Sequence, residues 1–199
     1  MVAVATRTPI APMSARPPAL PGFDTPSAGF DEPMAMLHAC HDRVRRSLDL
    51  LRRLCDRVAE SRIDAAVHGA AGDVLRYFDL AAPQHHEDEE QHIFPRLLAA
   101  GGDPTLRAAV MKLQEDHLAM EAHWARLRTP LAALAAGHAA SFGAAQIALA
   151  QRFLELYTGH AETEESLVFP AAATLIDEAT QRAMGEEMAS RRGAGPVAR

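Results

Sequence analysis

Two stretches of the chain repeat one pattern of metal-ligating residues. His85-His86-Glu87-Asp88-Glu89-Glu90-Gln91-His92-Ile93-Phe94-Pro95 and His160-Ala161-Glu162-Thr163-Glu164-Glu165-Ser166-Leu167-Val168-Phe169-Pro170 both follow His-x-x-x-Glu-Glu-x-x-x-Phe-Pro, 75 residues apart. The same offset relates Phe78 to Phe153, and an offset of 76 relates His41 to His117. The chain therefore reads as a duplicated helical hairpin. Each copy gives one histidine from its first helix and a His plus a Glu from its second.

On a helix, a histidine and a glutamate four residues apart are displaced by roughly 40° and one turn, so both converge on one point of a bundle core. His41, His85, His117 and His160 then supply up to four imidazoles, while Glu89 and Glu164 are placed to bridge two cations and offset their charge. Such a nitrogen and oxygen donor set suits iron, manganese or zinc, and two carboxylate bridges favour a redox-capable pair over a structural zinc. Six protein ligands leave coordination positions open for a small ligand.

The repeat also ranks the neighbours. His86 has Ala161 as its counterpart whereas His85 has His160, so His85 is the better ligand candidate. Glu90 and Glu165 lie further round their helices than the i+4 glutamates and are expected beside the ligands or facing solvent. His38, three residues before His41, could substitute for a further imidazole, although a surface role suits it better. Tyr157, three residues before His160, could donate a hydrogen bond to a bound ligand or be oxidised, or could simply pack. Glu121 could add a carboxylate, but its counterpart is Arg45. His68, His92, His123 and His138 are expected at the surface or beside the ligands.

The elements that must position these groups are helices. The chain has 199 residues, enough for one domain, and is rich in Ala and Leu with only 5% aromatics. Residues 1–30, with six prolines, read as a flexible tail. A first helix is expected from the Asp31-Glu32-Pro33 start to about Glu60, its apolar positions recurring every three or four residues. A second should span about Ile63 to Ala99, kinked or broken at Pro83 and Pro95. A third should open at Asp103-Pro104 and close at Gly137, bent or interrupted at Pro130. A fourth should run from about Ala139 to Ile176. Short connections imply an all-α, antiparallel up-down-up-down four-helix bundle over residues 31–177 with a pseudo-two-fold internal repeat. Residues 178–199 should hold a short helix, Glu178 to Met188, and a fraying end, RRGAGPVAR.

A net charge of -6 provides no broad basic field, so nucleic acid is not an expected partner. No stretch is apolar enough for a signal core or a membrane span, and Cys40 and Cys55, roughly 22 Å apart on one helix, are beyond disulfide reach. Those features favour a soluble protein with reduced thiols in the cytoplasm, as a monomer or homodimer.

Across about Asp31 to Ile176 the sequence resembles the hemerythrin-like family, the HHE cation-binding domains. The resemblance rests on His41 in CHDRVRRSL, on HHEDEEQHIFP, on His117 in LQEDHLAMEAHW and on HAETEESLVFP. It implies a non-haem centre of two iron ions, ferrous or ferric and bridged by oxide or hydroxide, with manganese or zinc as alternatives. It further implies a small-molecule ligand: dioxygen, nitric oxide or peroxide. Oxygen-carrying members typically have His-x-x-x-His on the third helix and His-x-x-x-x-Asp on the fourth, whereas this chain has Glu121 after His117 and uses Glu164. The missing fifth histidine points away from plain oxygen carriage. The proline-rich leader also lacks the cysteines usual in iron–sulfur repair members. An iron-responsive sensing or binding module without turnover is the alternative. Outside the metal residues the sequence offers no nucleophile, general acid or cofactor loop, and enzyme status is left open.

Overall fold

The computed structural model describes residues 28–138 and 142–194, and the proline-rich leader expected over residues 1–30 lies outside them up to residue 27. Among the described residues the chain is all-helical. Helix α1 spans Pro33–Ala59 and α2 spans Ala65–Asp88. A π-helical turn over Glu89–Ile93 leads into α3, Phe94–Ala100, and α4 follows over Pro104–Ala135. Helix α5 covers Ala144–Thr163, a second π-helical turn covers Glu164–Val168, α6 is Phe169–Ala173 and α7 is Glu178–Arg191.

Side chains start three of these helices. Asp64 accepts from the Ala66 and Val67 amides, Asp103 from Thr105, and Asp177 from Thr180, each satisfying an otherwise unpaired first-turn donor. Helix α1 differs from expectation: Pro33 opens its first turn, but no side chain caps it. At the far ends, Gly101 (φ 66°) and Gly137 (φ 90°) take the left-handed conformation that stops α3 and α4.

The prolines act differently from one another. Pro83 and Pro130 sit inside α2 and α4 without ending them. Pro95 and Pro170 each follow a π turn. Proline has no amide hydrogen, and its ring crowds the carbonyl four residues back. Here one turn widens: the Phe94 amide bonds to the Glu89 carbonyl and the Phe169 amide to the Glu164 carbonyl, each five residues back. The Phe-Pro ending of the repeated motif thus marks a local expansion whose first residue is the glutamate expected to bridge metal ions.

Helices α1, α2, α4 and α5 pack in a ring: α1 on α2, α2 on α4, α4 on α5, and α5 back on α1. Their apolar faces make two clusters. One contains Leu48, Leu51, Phe78, Leu127 and Phe153, the other Leu37, Ile93, Phe94, Leu113 and Phe169. On every one of the four helical stretches a buried polar residue separates the two: His41 on α1, His85 on α2, His117 on α4 and His160 on α5. Successive stretches cross the two clusters in alternating order.

Helix α7 completes the second cluster through Met184 and Met188, both fully buried. It also holds two arginines in the stretch expected to fray. Arg191 and Arg192 reach the fully buried Asp88 carboxylate at 2.7 and 2.6 Å. Glu187 pairs with Arg191 at 2.9 Å and with His92 of the first π turn at 2.6 Å. The segment just before Glu89 is thereby clamped from outside the four-helix ring.

Two outcomes follow for α7. A Cβ on Gly185 would lie 1.7 Å from the Phe30 carbonyl oxygen, so Gly185→Ala forces backbone apart and is expected to lower stability by about 1–3 kcal/mol in chemical unfolding. The Glu187 carboxyl is held down to about 2, chiefly by Arg191 and also by His92. A depressed acid contributes stability that is complete above the ordinary glutamate range near ~4.3 and is lost as pH falls through its folded value. Glu187→Gln should therefore flatten the fall in melting temperature between about pH 5 and pH 2; an unchanged slope would assign that acid sensitivity elsewhere.

Candidate metal centre

Six polar side chains meet where the two apolar clusters part. His41, His85, His160, Glu89 and Glu164 are at most 3% exposed, and His117 is 7% exposed. Glu89 lies against its own-helix partner, with His85 Nε2 3.2 Å from Oε1, and against His117 of the other copy, whose Nε2 is 3.4 Å from Oε2. Glu164 mirrors this, with His160 Nε2 at 2.9 Å and His41 Nε2 at 3.0 Å. Each glutamate thus touches one histidine from each half of the duplication.

These atoms form two overlapping groups. His41, His85, Glu89 and Glu164 each bring a donor atom within 4.8 Å of the others, and so do His117, His160, Glu89 and Glu164. Both glutamates belong to both groups. All four of their carboxylate oxygens are buried, and none accepts a well-directed hydrogen bond. Buried carboxylates left so are costly unless a cation occupies the space between them. The donor set, imidazole nitrogen with carboxylate oxygen, fits two cations of the iron, manganese or zinc kind. The cluster is capable of binding metal.

The second glutamate of each doublet orients a ring across the duplication. Glu90 bonds His117 Nδ1 at 2.9 Å and Glu165 bonds His41 Nδ1 at 2.9 Å. An ionised carboxylate only accepts, so Nδ1 carries the hydrogen and, in the neutral ring, Nε2 turns its lone pair to the shared space. Gln114 donates to Glu90 at 2.7 Å, and Arg45 pairs with Glu165. Both glutamates are half-buried beside the cluster, as the repeat suggested.

Electrostatics set the protons of the metal-free cluster. Burial and the neighbouring Glu164 push the Glu89 carboxyl well above the usual carboxylate range. Burial opposes ionisation of Glu164 too, but the close His160 and His41 rings outweigh it and hold Glu164 well below that range. Burial keeps His85 low, at about 3, and also lowers His117. Burial likewise disfavours charge on His41, but Glu164 and Glu165 together raise its pKa.

His38 is exposed with its ring edge-on to Phe169 at 5.0 Å, and Glu121 is exposed on the wall of a cavity; neither joins the two groups. Tyr157 is buried among Phe78 and Phe153. His86, which the repeat ranked below His85, also stands beside the cluster. Its ring stacks on His117 at 4.1 Å, and with His117 and His160 it forms a third group of nitrogens within 4.8 Å. The doublet His85-His86 was its trace in the sequence, and the repeat placed it second to His85. Asp88 with Arg191 and Arg192 left no signal at all, because their contact joins residues more than a hundred positions apart.

A cavity of about 570 Å³ opens between α2 and α4 beside the cluster. Phe78, Ala82, Met120, Trp124 and Tyr157 form its apolar walls, His86 and His117 its inner end, and Glu87, Glu90 and Glu121 add carboxylates. No helix among the described residues is long and apolar enough to cross a membrane.

Comparison with known proteins agrees with this geometry. The family model for the hemerythrin HHE cation binding domain matches residues 32–172. An uncharacterized protein of Haemophilus influenzae is 30% identical over 165 residues, which cover 83% of this chain and 92% of that relative. The chain belongs to the hemerythrin HHE cation-binding domain family.

Proposed function

We propose that this chain is a non-haem di-iron protein in which His41, His85, Glu89, His117, His160 and Glu164 hold two iron ions and leave room for dioxygen, nitric oxide or peroxide. One observation carries the proposal: two four-residue groups share Glu89 and Glu164, whose four buried oxygens have no well-directed hydrogen bond. When bound, such a pair supplies redox chemistry and open coordination positions. The chain's own residues do the rest. Glu90 and Glu165 fix the rings of His117 and His41, the apolar clusters on either side exclude water, and Arg191 and Arg192 neutralise Asp88 next to Glu89.

The frame is an up-down-up-down bundle with a pseudo-two-fold axis. Supporting it are the ring packing of α1, α2, α4 and α5, the alternating order of the two apolar clusters, and the exchange of glutamate contacts between the two copies. Free Cys40 and Cys55 are consistent with a reducing, cytoplasmic setting.

The route for a small ligand is the cavity between α2 and α4, which ends on His86 and His117. Its apolar walls and acidic members favour uncharged molecules over anions. The alternative, an iron-responsive module without turnover, draws on the clamp between α7 and Asp88, which ties an outer helix to the residue before Glu89.

Anaerobic titration of metal-free protein with ferrous iron is expected to end at two ions per chain, and Glu164→Ala should bind no pair. A chain that takes up no transition metal overturns the proposal. Stopped-flow mixing of the reduced protein with oxygen, nitric oxide and peroxide then separates reaction from mere sensing. Ala82→Phe, which narrows the cavity, should slow the reacting ligand severalfold while iron content stays at two; an unchanged rate would place the ligand's route elsewhere.

A further inference from the structure

The cavity between α2 and α4 is larger than a diatomic ligand needs. At a water's share of ~30 Å³ apiece, its volume of about 570 Å³ holds roughly a dozen or more non-hydrogen atoms, the size of an organic molecule. The cluster does not call for its make-up either. Ala82, His86, Glu121 and Trp124 line it, and their counterparts in the repeat are Tyr157, Ala161, Arg45 and Leu48. The walls therefore differ from the other copy, while the six cluster residues match it.

Three features of the space point to one kind of occupant. Its middle is aromatic, with Phe78, Trp124 and Tyr157, and the indole is fixed by a 2.9 Å hydrogen bond to Asp79. Its outer edge carries Leu118 and Glu121, both exposed and three residues apart on α4. Its inner end holds His86, whose Nε2 is shut off from water and has no hydrogen-bond partner. That ring stacks face to face on His117, 4.1 Å away with 14° between the planes, so the in-plane lone pairs of the two rings cannot meet on one ion. An unpaired buried nitrogen is costly, and the cavity is the space at hand for its partner.

Charge narrows the choice. No Lys or Arg among the described residues lines the cavity. Of its three carboxylates, Glu87 is paired with Arg191 at 3.1 Å, and Glu90 is bonded to Gln114 and His117. Glu121 has no hydrogen-bond or ionic partner among the described residues. It lies three residues before Trp124 on α4, so a cation beside this carboxylate is also within reach of the indole face.

We propose that this cavity binds an organic ammonium with an aromatic body, its cation held by Glu121 and Trp124 and a polar group at its other end bonded to His86. The inference goes beyond the di-metal reading and does not depend on it, because none of these three residues belongs to the six of the cluster.

Tyramine is the probe, a ring with an ammonium at one end and a hydroxyl at the other. It is compared with phenethylamine, which lacks the hydroxyl, with uncharged tyrosol and with anionic hydroxyphenylacetate. Trp124 is the only tryptophan of the chain, so its fluorescence reports occupancy while calorimetry gives affinity. The full chain as purified should bind tyramine saturably, about three- to tenfold tighter than tyrosol or phenethylamine, and should not bind hydroxyphenylacetate. Glu121→Gln should remove the preference over tyrosol and His86→Phe the preference over phenethylamine, each leaving the other in place. Ala82→Tyr, which gives α2 the residue of the other copy, should abolish binding, with melting curves as the control for folding. Because Glu121 is exposed, its variant leaves packing untouched and decides the matter even where Ala82→Tyr fails to fold. Tyramine that does not bind, or that binds Glu121→Gln as tightly as wild type, overturns the proposal. A chain that takes up no iron yet binds tyramine in this pattern would overturn the di-metal reading alone.

Discussion

Glu89 and Glu164 lie side by side in the middle of a helical core, both fully buried, and the rest of the structure is arranged around that fact. Two carboxylates in a low-dielectric interior cannot both stay ionised without compensation. In the metal-free chain the conflict is resolved unequally, Glu89 being pushed towards its protonated form and Glu164 kept ionised by the rings of His160 and His41. Metal ions would replace that compromise with charge of the right sign. The same constraint explains the outer ring of partners. Asp88, one residue away and also fully buried, is matched by two guanidinium groups, so that no third uncompensated charge burdens the site.

The structure holds this unfavourable pair because the apolar clusters lie above and below it rather than around a single point. Each of the four helical stretches crosses from one cluster to the other, and each carries its site histidine at the crossing. Geometry at the crossing is trimmed by the π turns. Pro95 and Pro170 widen the turn that begins at Glu89 and Glu164, so the residue that brings the carboxylate is the one whose carbonyl takes the long hydrogen bond.

Much of this was legible in the sequence because a duplicated chain states its important positions twice. The helices, their approximate ends, and the six residues that meet at the centre follow from periodicity and from the 75-residue offset. What periodicity cannot give is which copy a side chain reaches. Glu90 and Glu165 are placed beside the cluster by their angle on the helix, but that each crosses to a histidine of the other copy depends on tertiary packing. Helix α7 was legible as a helix and not as a clamp, since Arg191 meets Asp88 across 103 positions. Of the prolines, Pro83 and Pro130 leave their helices unbroken, whereas Pro95 follows a π turn, a local distortion of the kind expected there, and Pro170 follows a second.

The two copies differ around the cavity. The cavity lies on the first copy's second helix, where Ala82 leaves space and Glu121 faces it from α4. At the equivalent positions the other copy carries Tyr157 in place of Ala82 and Arg45 in place of Glu121, with Arg45 drawn in to Glu165. His86 lines the cavity, and its counterpart in the other copy is Ala161. A duplicated bundle supplies two equal halves by default. With Ala82 where the other copy has Tyr157, the cavity lies beside one half of the cluster, an inequality that the repeat alone does not supply.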